Sequence, residues 1–239
     1  MKKNVATIPF TQVVESLKLS GKYSEIPEPA VDFVKRHCEN AFSEIGYRRN
    51  DIRNYDAITE FMARYDLANV DADKAEALED DHHFKKVYRE YLQGKSFKNP
   101  KGLLLFGACG TSKTLAARII AKRFDATMMD TYRIAFQYLK KDGNDWLADF
   151  LDKHCRSLLI IDDVGAEGDI RKFGNESPIG AIISTRARHW EVYGTPTIYT
   201  TNFATPEELA ALYGKDHRLL DRLTSYQVSV EFTGASLRK

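Results

Sequence analysis

"GACGTSKT", residues 107–114, stands between a short apolar run, "GLLLF" (102–106), and a stretch with helical spacing, "TLAARIIAKRF" (114–124). Strand, glycine-containing loop and helix in that order are the layout of a phosphate-binding loop, whose pattern is G-x-x-x-x-G-K-[ST]. Such a loop works because its backbone N–H groups point inward at phosphate oxygens, a lysine reaches the outer phosphates and a hydroxyl holds magnesium. Gly107, Lys113 and Thr114 occupy three of the four fixed places. Ser112 stands in the fourth, where the pattern has glycine. Its Cβ and hydroxyl crowd a place where backbone and phosphate approach closely, unless the hydroxyl donates to a phosphate oxygen. The expected nucleotide-binding segment is Gly107, Ala108, Cys109, Gly110, Thr111, Ser112, Lys113 and Thr114, with Cys109 read as a tolerated small residue.

Two further strand ends carry polar groups. "SLLII" (157–161) runs into Asp162 and Asp163, and "TPTIYTT" (195–201) runs into Asn202. Strands alternating with helices imply a parallel sheet covered on both faces, with ligands gathering at the strands' carboxyl ends. There Asp162 is expected to hold Mg²⁺ together with Thr114, and Asp163 to orient an attacking water. By itself "IIDD" reads as an acidic turn after a buried strand; the loop upstream makes it a site. Glu167 is one more carboxylate nearby.

The bulk composition allows a sizeable core, with 239 residues of which 43% are hydrophobic. Lys and Arg number 35 against 34 Asp and Glu, so contact with nucleic acid requires a local basic patch. Three cysteines, Cys38, Cys109 and Cys155, suit a reducing compartment better than a disulfide framework. The N-terminus has no apolar h-region, and no apolar run is long enough to span a bilayer, so a cytoplasmic location without membrane contact is expected.

Residues 1–94 are expected to form a helical N-terminal region and 95–239 the nucleotide-binding core. Phe10, Val13, Val14 and Leu17 are spaced as one helix face. So are Val31, Val34, Cys38, Ala41, Phe42 and Ile45, then Ile58, Phe61, Met62 and Tyr65, then Phe84, Val87, Tyr88, Tyr91 and Leu92. These stripes are read as core and "EALEDDHH" as a solvated face. His82 and His83 lack partners at ligand spacing and receive no metal. "GKSFKNPKG" (94–102) reads as a linker or hinge.

From "LLLFGACGTSKT" through "LLIIDDVGAE" and "PTIYTTN" to "RLLDRL" and "FTGASLR", residues 103–238 in unbroken order, the chain resembles the AAA+ ATPases. Within them it resembles the group containing the helicase loader DnaC and the transposition ATPase IstB. The resemblance implies an α/β P-loop NTPase, an AAA+ core, in which the helical lid is largely absent because only a short stretch follows Phe232. It implies ATP and Mg²⁺ as ligands. Asn202 would sense the γ-phosphate, Arg222 of "DRL" would reach a neighbouring subunit's nucleotide with Arg218 in reserve, and Arg238 would contact phosphate in its own subunit. The plain reading of those arginines is surface residues on helices. An arginine supplied in trans raises phosphoryl-transfer rates by about 10³ to 10⁵ and makes hydrolysis depend on assembly. The chain is therefore expected to form a homo-oligomer when ATP-bound, to hydrolyse slowly without a partner, and to act on a replicative helicase or a transposase.

"TYRIAFQYLKK" (131–141) interleaves aromatics with Arg133, Lys140 and Lys141, a composition suited to single-stranded DNA. It also reads, with slightly better support, as an amphipathic helix burying Ile134, Tyr138 and Leu139. Three functions stay open at this point: an ATP-driven loader or targeting factor in replication or transposition, an interaction protein using ATP as a structural ligand, and a small-molecule P-loop kinase. The "TTN" strand end and the "DRL" arginine count against the last.

Overall fold

A computed structural model describes residues 52–69, 99–140, 142–167, 177–213 and 217–237, with positions 23, 24, 31, 35, 42, 49, 96 and 97. The chain divides into two compact units, Met1–Asn40 with Thr59–Pro100, and Ala41–Ile58 with Lys101–Lys239.

In the first unit, β1 (Tyr23–Ser24) pairs in parallel with β2 (Ser96–Phe97), Tyr23 opposite Ser96 and Ser24 opposite Phe97. The stretch expected as a linker thus contains a short strand, whose backbone groups are taken up by pairing. Helix α1 (Tyr55–Ala68), whose residues up to Ile58 belong to the second unit and the rest to the first, follows the expected stripe: Ile58, Phe61 and Met62 are buried and Tyr65 is partly so. Asp56 in its first turn complements the helix dipole. Val31 of the first unit and Phe42 of the second, members of another expected stripe, are helical and buried. The stripes at 10–17 and 84–92, and His82 and His83, lie outside the described residues.

The second unit is built on five parallel strands in the order β4 (Thr127–Asp130), β5 (Leu159–Asp162), β6 (Thr197–Thr200), β3 (Gly102–Phe106) and β7 (Gln227–Glu231). Leu104 is opposite Tyr199 on one side and Ser229 on the other; Ile160 is opposite Met128 and Ile198. The helices are α2 (Lys113–Phe124), α3 (Thr131–Lys140), α4 (Gly143–Lys153), α5 (Pro178–Tyr193), α6 (Pro206–Leu212) and α7 (His217–Ser225). The α/β architecture expected from the sequence, a parallel sheet flanked by helices, is the fold observed.

Alternation along the strands sorts their side chains onto two faces. Leu104, Leu159, Ile161 and Tyr199 join one core with Ile134 and Tyr138 of α3, Leu147 and Phe150 of α4, Ile179, Ile182 and Ile183 of α5, and Leu219 and Leu223 of α7. Leu103, Leu105, Ile160 and Ile198, equally buried, occupy the other face, where α2 packs with Ala116, Ile119 and Ile120 buried. Helix ends are marked locally. Ser177 caps α5 by accepting from the Ile179 N–H, Pro178 opens that helix, and Gly194 closes it in the left-handed conformation.

Strands β4 and β7 were not expected from the sequence. All four residues of β4 are only partly buried, and β7 exposes Val228 and Ser229. Both are edge strands, so neither carries the continuous apolar run that marks a central strand. One expected core residue is also corrected: in α3 Ile134 and Tyr138 are buried, but Leu139 is 51% exposed because it lies on the outward side with Tyr132 and Phe136.

Candidate functional site

Strand β6 lies between β5 and β3, so the carboxyl ends of three neighbouring strands deliver the two aspartates, Asn202 and the glycine loop to one sheet edge. The loop leaves β3 at Gly107, whose N–H donates to the Phe203 carbonyl (3.0 Å) and whose φ is +116°. Gly110 and Ser112 also have positive φ, +79° and +75°. Alternation of left-handed with ordinary residues turns backbone N–H groups toward a common concavity, the geometry of an anion nest.

Ser112 is therefore more than a crowding problem. It occupies a left-handed conformation as the residue that caps α2, and its side chain makes no capping hydrogen bond there. Glycine adopts that conformation freely, while an L-residue is strained in it. The departure from the pattern is felt first in the backbone, a cost invisible in the motif itself.

Lys113 is only 5% exposed; its ammonium donates to the carbonyls of Gly107 and Ala108, both at 2.7 Å. Thr111 closes the turn by donating to the Ala108 carbonyl (2.8 Å). Beside it Thr114 donates to Asp162 Oδ1 at 3.1 Å, and Thr200 donates to the same oxygen. Asp162 is buried, at 8% exposure. A hydroxyl and a carboxylate so placed are hard oxygen ligands of the kind Mg²⁺ takes. The residues fit a nucleoside triphosphate and its metal in kind: a buried cation on exchangeable acceptors, a nest of amides and a Thr–Asp oxygen pair.

Asp163 also has positive φ, +60°, which a short polar residue tolerates better than most. The contacts that hold it include its N–H donating to Thr200 Oγ1 (2.8 Å), its carbonyl accepting from Thr131 Oγ1 (2.9 Å) and from the Ala166 N–H (3.1 Å), and Asn202 Nδ2 donating to its Oδ1 (2.7 Å). Backbone kept in a sparsely populated region by surrounding contacts is a recurrent mark of functional sites. Thr200 and Thr131 were not singled out in the sequence; the doubled threonine before Asn202 was the available signal.

Glu167, the further carboxylate nearby, is engaged within the fold. It is 7% exposed, accepts from the Gly165 N–H at 2.9 Å and from the Tyr213 hydroxyl at 2.5 Å. Burial first, then the Glu167 charge, pushes the Tyr213 phenol far above its ordinary value, so it stays a donor. The pair ties the segment after β5 to the end of α6.

The arginines are divided. Arg222, on α7, is partly buried and donates to Ser184 Oγ of α5 at 2.6 Å. Arg218, one turn earlier, is exposed. Arg238 lies outside the described residues, though Leu237 before it donates its N–H to the Gly110 carbonyl (2.8 Å). Cys109 is a free, exposed thiol in the loop. Among the described residues no group of three or more His, Cys, Asp or Glu is placed to hold a metal, and no helix is long and apolar enough to cross a membrane.

Against known proteins, no family model matches the chain. It is 42% identical over 79 residues to the ATP-dependent zinc metalloprotease FtsH 2 of Petrotoga mobilis, covering 33% of this chain and 12% of that protein. It is 30% identical over 91 residues to the 26S proteasome regulatory subunit 4 homolog of Schizosaccharomyces pombe, covering 36% of this chain and 20% of that one. The chain thus spans a minor part of the curated relatives it matches. Among solved structures, the DnaC helicase loader aligns with a TM-score of 0.43 and 22% identity, over 69% of this chain and 92% of that one. A primosome component from Streptococcus pyogenes serotype M3 aligns with a TM-score of 0.44 and 18% identity, over 78% and 93%. The DnaC helicase loader, named among the proteins the motifs resemble, is thus one of the solved structures to which the chain is similar.

Proposed function

We propose that this chain is an ATP-binding AAA+ protein that couples ATP binding and hydrolysis to the loading or targeting of a DNA-processing partner. The observation that carries the reading is the convergence at one sheet edge of buried Lys113, the Thr114–Asp162 pair and the Asp163–Asn202 pair. Lys113 would exchange the carbonyls of its own loop for the outer phosphates, with the amides of residues 107–112 and the N-terminus of α2 around them. Thr114 and Asp162 would hold Mg²⁺, which when bound neutralises charge on the transferring phosphoryl group. Asp163 would orient the attacking water and Asn202 would leave it to sense the γ-phosphate. Arg222, or exposed Arg218, would act on a neighbouring subunit's nucleotide in a homo-oligomer, and Arg238 on the chain's own.

Labelled ATP at equilibrium tests the site. Lys113→Ala is expected to bind about 100-fold more weakly, the loss of two charge-assisted contacts; equal retention by both proteins overturns it. Residues 1–94 are the proposed partner arm and a replicative helicase or a transposase the proposed partner. Recovery of one of these with the protein from its native host, in the presence of a non-hydrolysable ATP analogue, supports the loader reading, and recovery of neither in any nucleotide state overturns it.

The outward face of α3 supports contact with single-stranded DNA. Tyr132 and Phe136 are 60% and 59% exposed one turn apart, Arg133 is exposed beside them, and the Lys140 ammonium lies 5.6 Å from the Phe136 ring centroid. Stacking on an aromatic contributes about 1–3 kcal/mol per base, so Tyr132→Ala with Phe136→Ala should abolish strand binding by the ATP-loaded protein.

A second reading keeps ATP as a structural ligand with little hydrolysis. It is favoured by the strained Ser112 backbone and by the engagement of Asp163 with Asn202. Zero turnover with every partner that binds would select it.

A further inference from the structure

We propose that Arg53 and Asn54 form a clasp that holds residues 231–237 onto the phosphate loop, making Arg53 a positioning residue for nucleotide binding; the binding part rests on the ATP reading above. Both residues lie in the turn before α1, in the same compact unit as the loop. The Arg53 guanidinium donates from one nitrogen to the Thr233 carbonyl and from the other to the Ala235 carbonyl, so its fork spans two peptide units. Asn54 Nδ2 donates to the Glu231 carbonyl at 2.7 Å. Between them sits Gly234 at φ +100°, where a Cβ would lie 2.5 Å from the guanidinium. The glycine of "FTGASLR" is thus shaped to receive the arginine, in conformation and in room.

The clasped segment reaches the loop directly. Phe232 donates its N–H to the Phe106 carbonyl (2.8 Å), prolonging the β3–β7 ladder, and Leu237 donates to Gly110 (2.8 Å). A Cβ on Gly110 would meet Ser236 Oγ at 2.1 Å, so segment and loop are in close apposition. Carbonyls beyond the end of a strand need donors, and arginine offers a rigid fork where lysine offers a point. The clasp also touches the loop itself: the Arg53 N–H points at Ser112 Oγ, at 3.4 Å. Glycine at 112 has no oxygen to accept that contact. The unusual serine and the clasp therefore belong to one arrangement, in which the loop is supported from outside.

The test combines hydrogen exchange on the nucleotide-free full chain with equilibrium ATP binding. Arg53→Ala should speed exchange of the Leu237 amide about tenfold or more and weaken ATP binding about tenfold, with Arg53→Lys in between. Amides of β3 and β6 should be unchanged, which separates loss of the clasp from general loosening. Asn54→Gly keeps the left-handed turn, removes only the Glu231 contact, and should release the segment in part; it serves if Arg53→Ala does not fold. Unchanged Leu237 exchange in both variants overturns the clasp. A loosened segment with unaltered ATP affinity, while Lys113→Ala loses ATP, overturns the positioning role. If wild type and Lys113→Ala bind ATP equally, the ATP reading fails, and the exchange result still decides the clasp.

Discussion

Two buried cations stand at opposite ends of the same parallel sheet, Lys113 at the carboxyl ends of the strands and Arg186 at the amino ends, 5% and 1% exposed. Arg186 reaches acceptors from separate segments: Thr197 Oγ1 at 2.7 Å and the carbonyls of His154, Ser157 and Pro196 at 2.5, 3.0 and 2.9 Å. It fastens the end of α4 and the entries to β5 and β6. Lys113 rests on Gly107 and Ala108 of its own loop. On the proposed reading these two carbonyls would be exchanged for phosphate oxygens. Arg186 is thus a fastener between segments, and Lys113 is the proposed ligand-binding group.

That contrast can be broken by substitution. Arg186→Met leaves a buried hydroxyl and several carbonyls without their donor, and should lower stability by at least about 3 kcal/mol, read by denaturant unfolding. ATP affinity per folded molecule should not change; a stable Arg186→Met protein would show that the amino-end network is dispensable. Lys113→Ala should show the converse, a large loss of ATP with a melting temperature close to that of the nucleotide-free parent. A collapse in stability there would make Lys113 a fastener too.

Ser112→Gly should be smaller and of opposite sign. Relief of the left-handed conformation should raise stability by about 1 kcal/mol, offset in part by the greater freedom of glycine in the unfolded chain. A lower melting temperature would mean that the contact with Arg53 outweighs backbone strain.

The smallest effect is one of pH at the amino-end network. Burial first, then the charges of Lys153 and Arg186, holds His154 below its ordinary value of 6.5. Burial first, then Arg186, does the same for His189, with Arg188 adding to the effect and Asp152 opposing it. The fold therefore favours neutral rings, whereas the unfolded chain takes up protons first as pH falls. Stability contributed by these groups is present above pH 6.5 and is lost as pH drops below it. Melting curves between pH 7.5 and pH 5 should show a decline that His154→Gln reduces; no change in slope would exclude that histidine.

The legible parts of the molecule were those with local signals. "GLLLF", "SLLII" and "TPTIYTT" became β3, β5 and β6, and helix α2 begins at Lys113 as the loop pattern requires. Thr114 and Asp162, paired as magnesium ligands on residue type alone, are within hydrogen-bond distance. Asp163 and Asn202 likewise meet. Edge strands β4 and β7 were not legible because neither carries a continuous buried run. The outward turn of Leu139 was missed because α3 has more apolar residues than the core can take on one face.

Residue type and order alone determined which chemical groups stand at the strand ends, since a buried strand and a glycine turn announce themselves within a few residues. The tertiary structure decided the left-handed backbone of Ser112, the diversion of Glu167 to Tyr213, the tether of Arg222 to Ser184 and the reach of Arg53 to Thr233. Those contacts join positions 38 to 180 residues apart, and a pairing between distant positions leaves no periodicity in the chain to read.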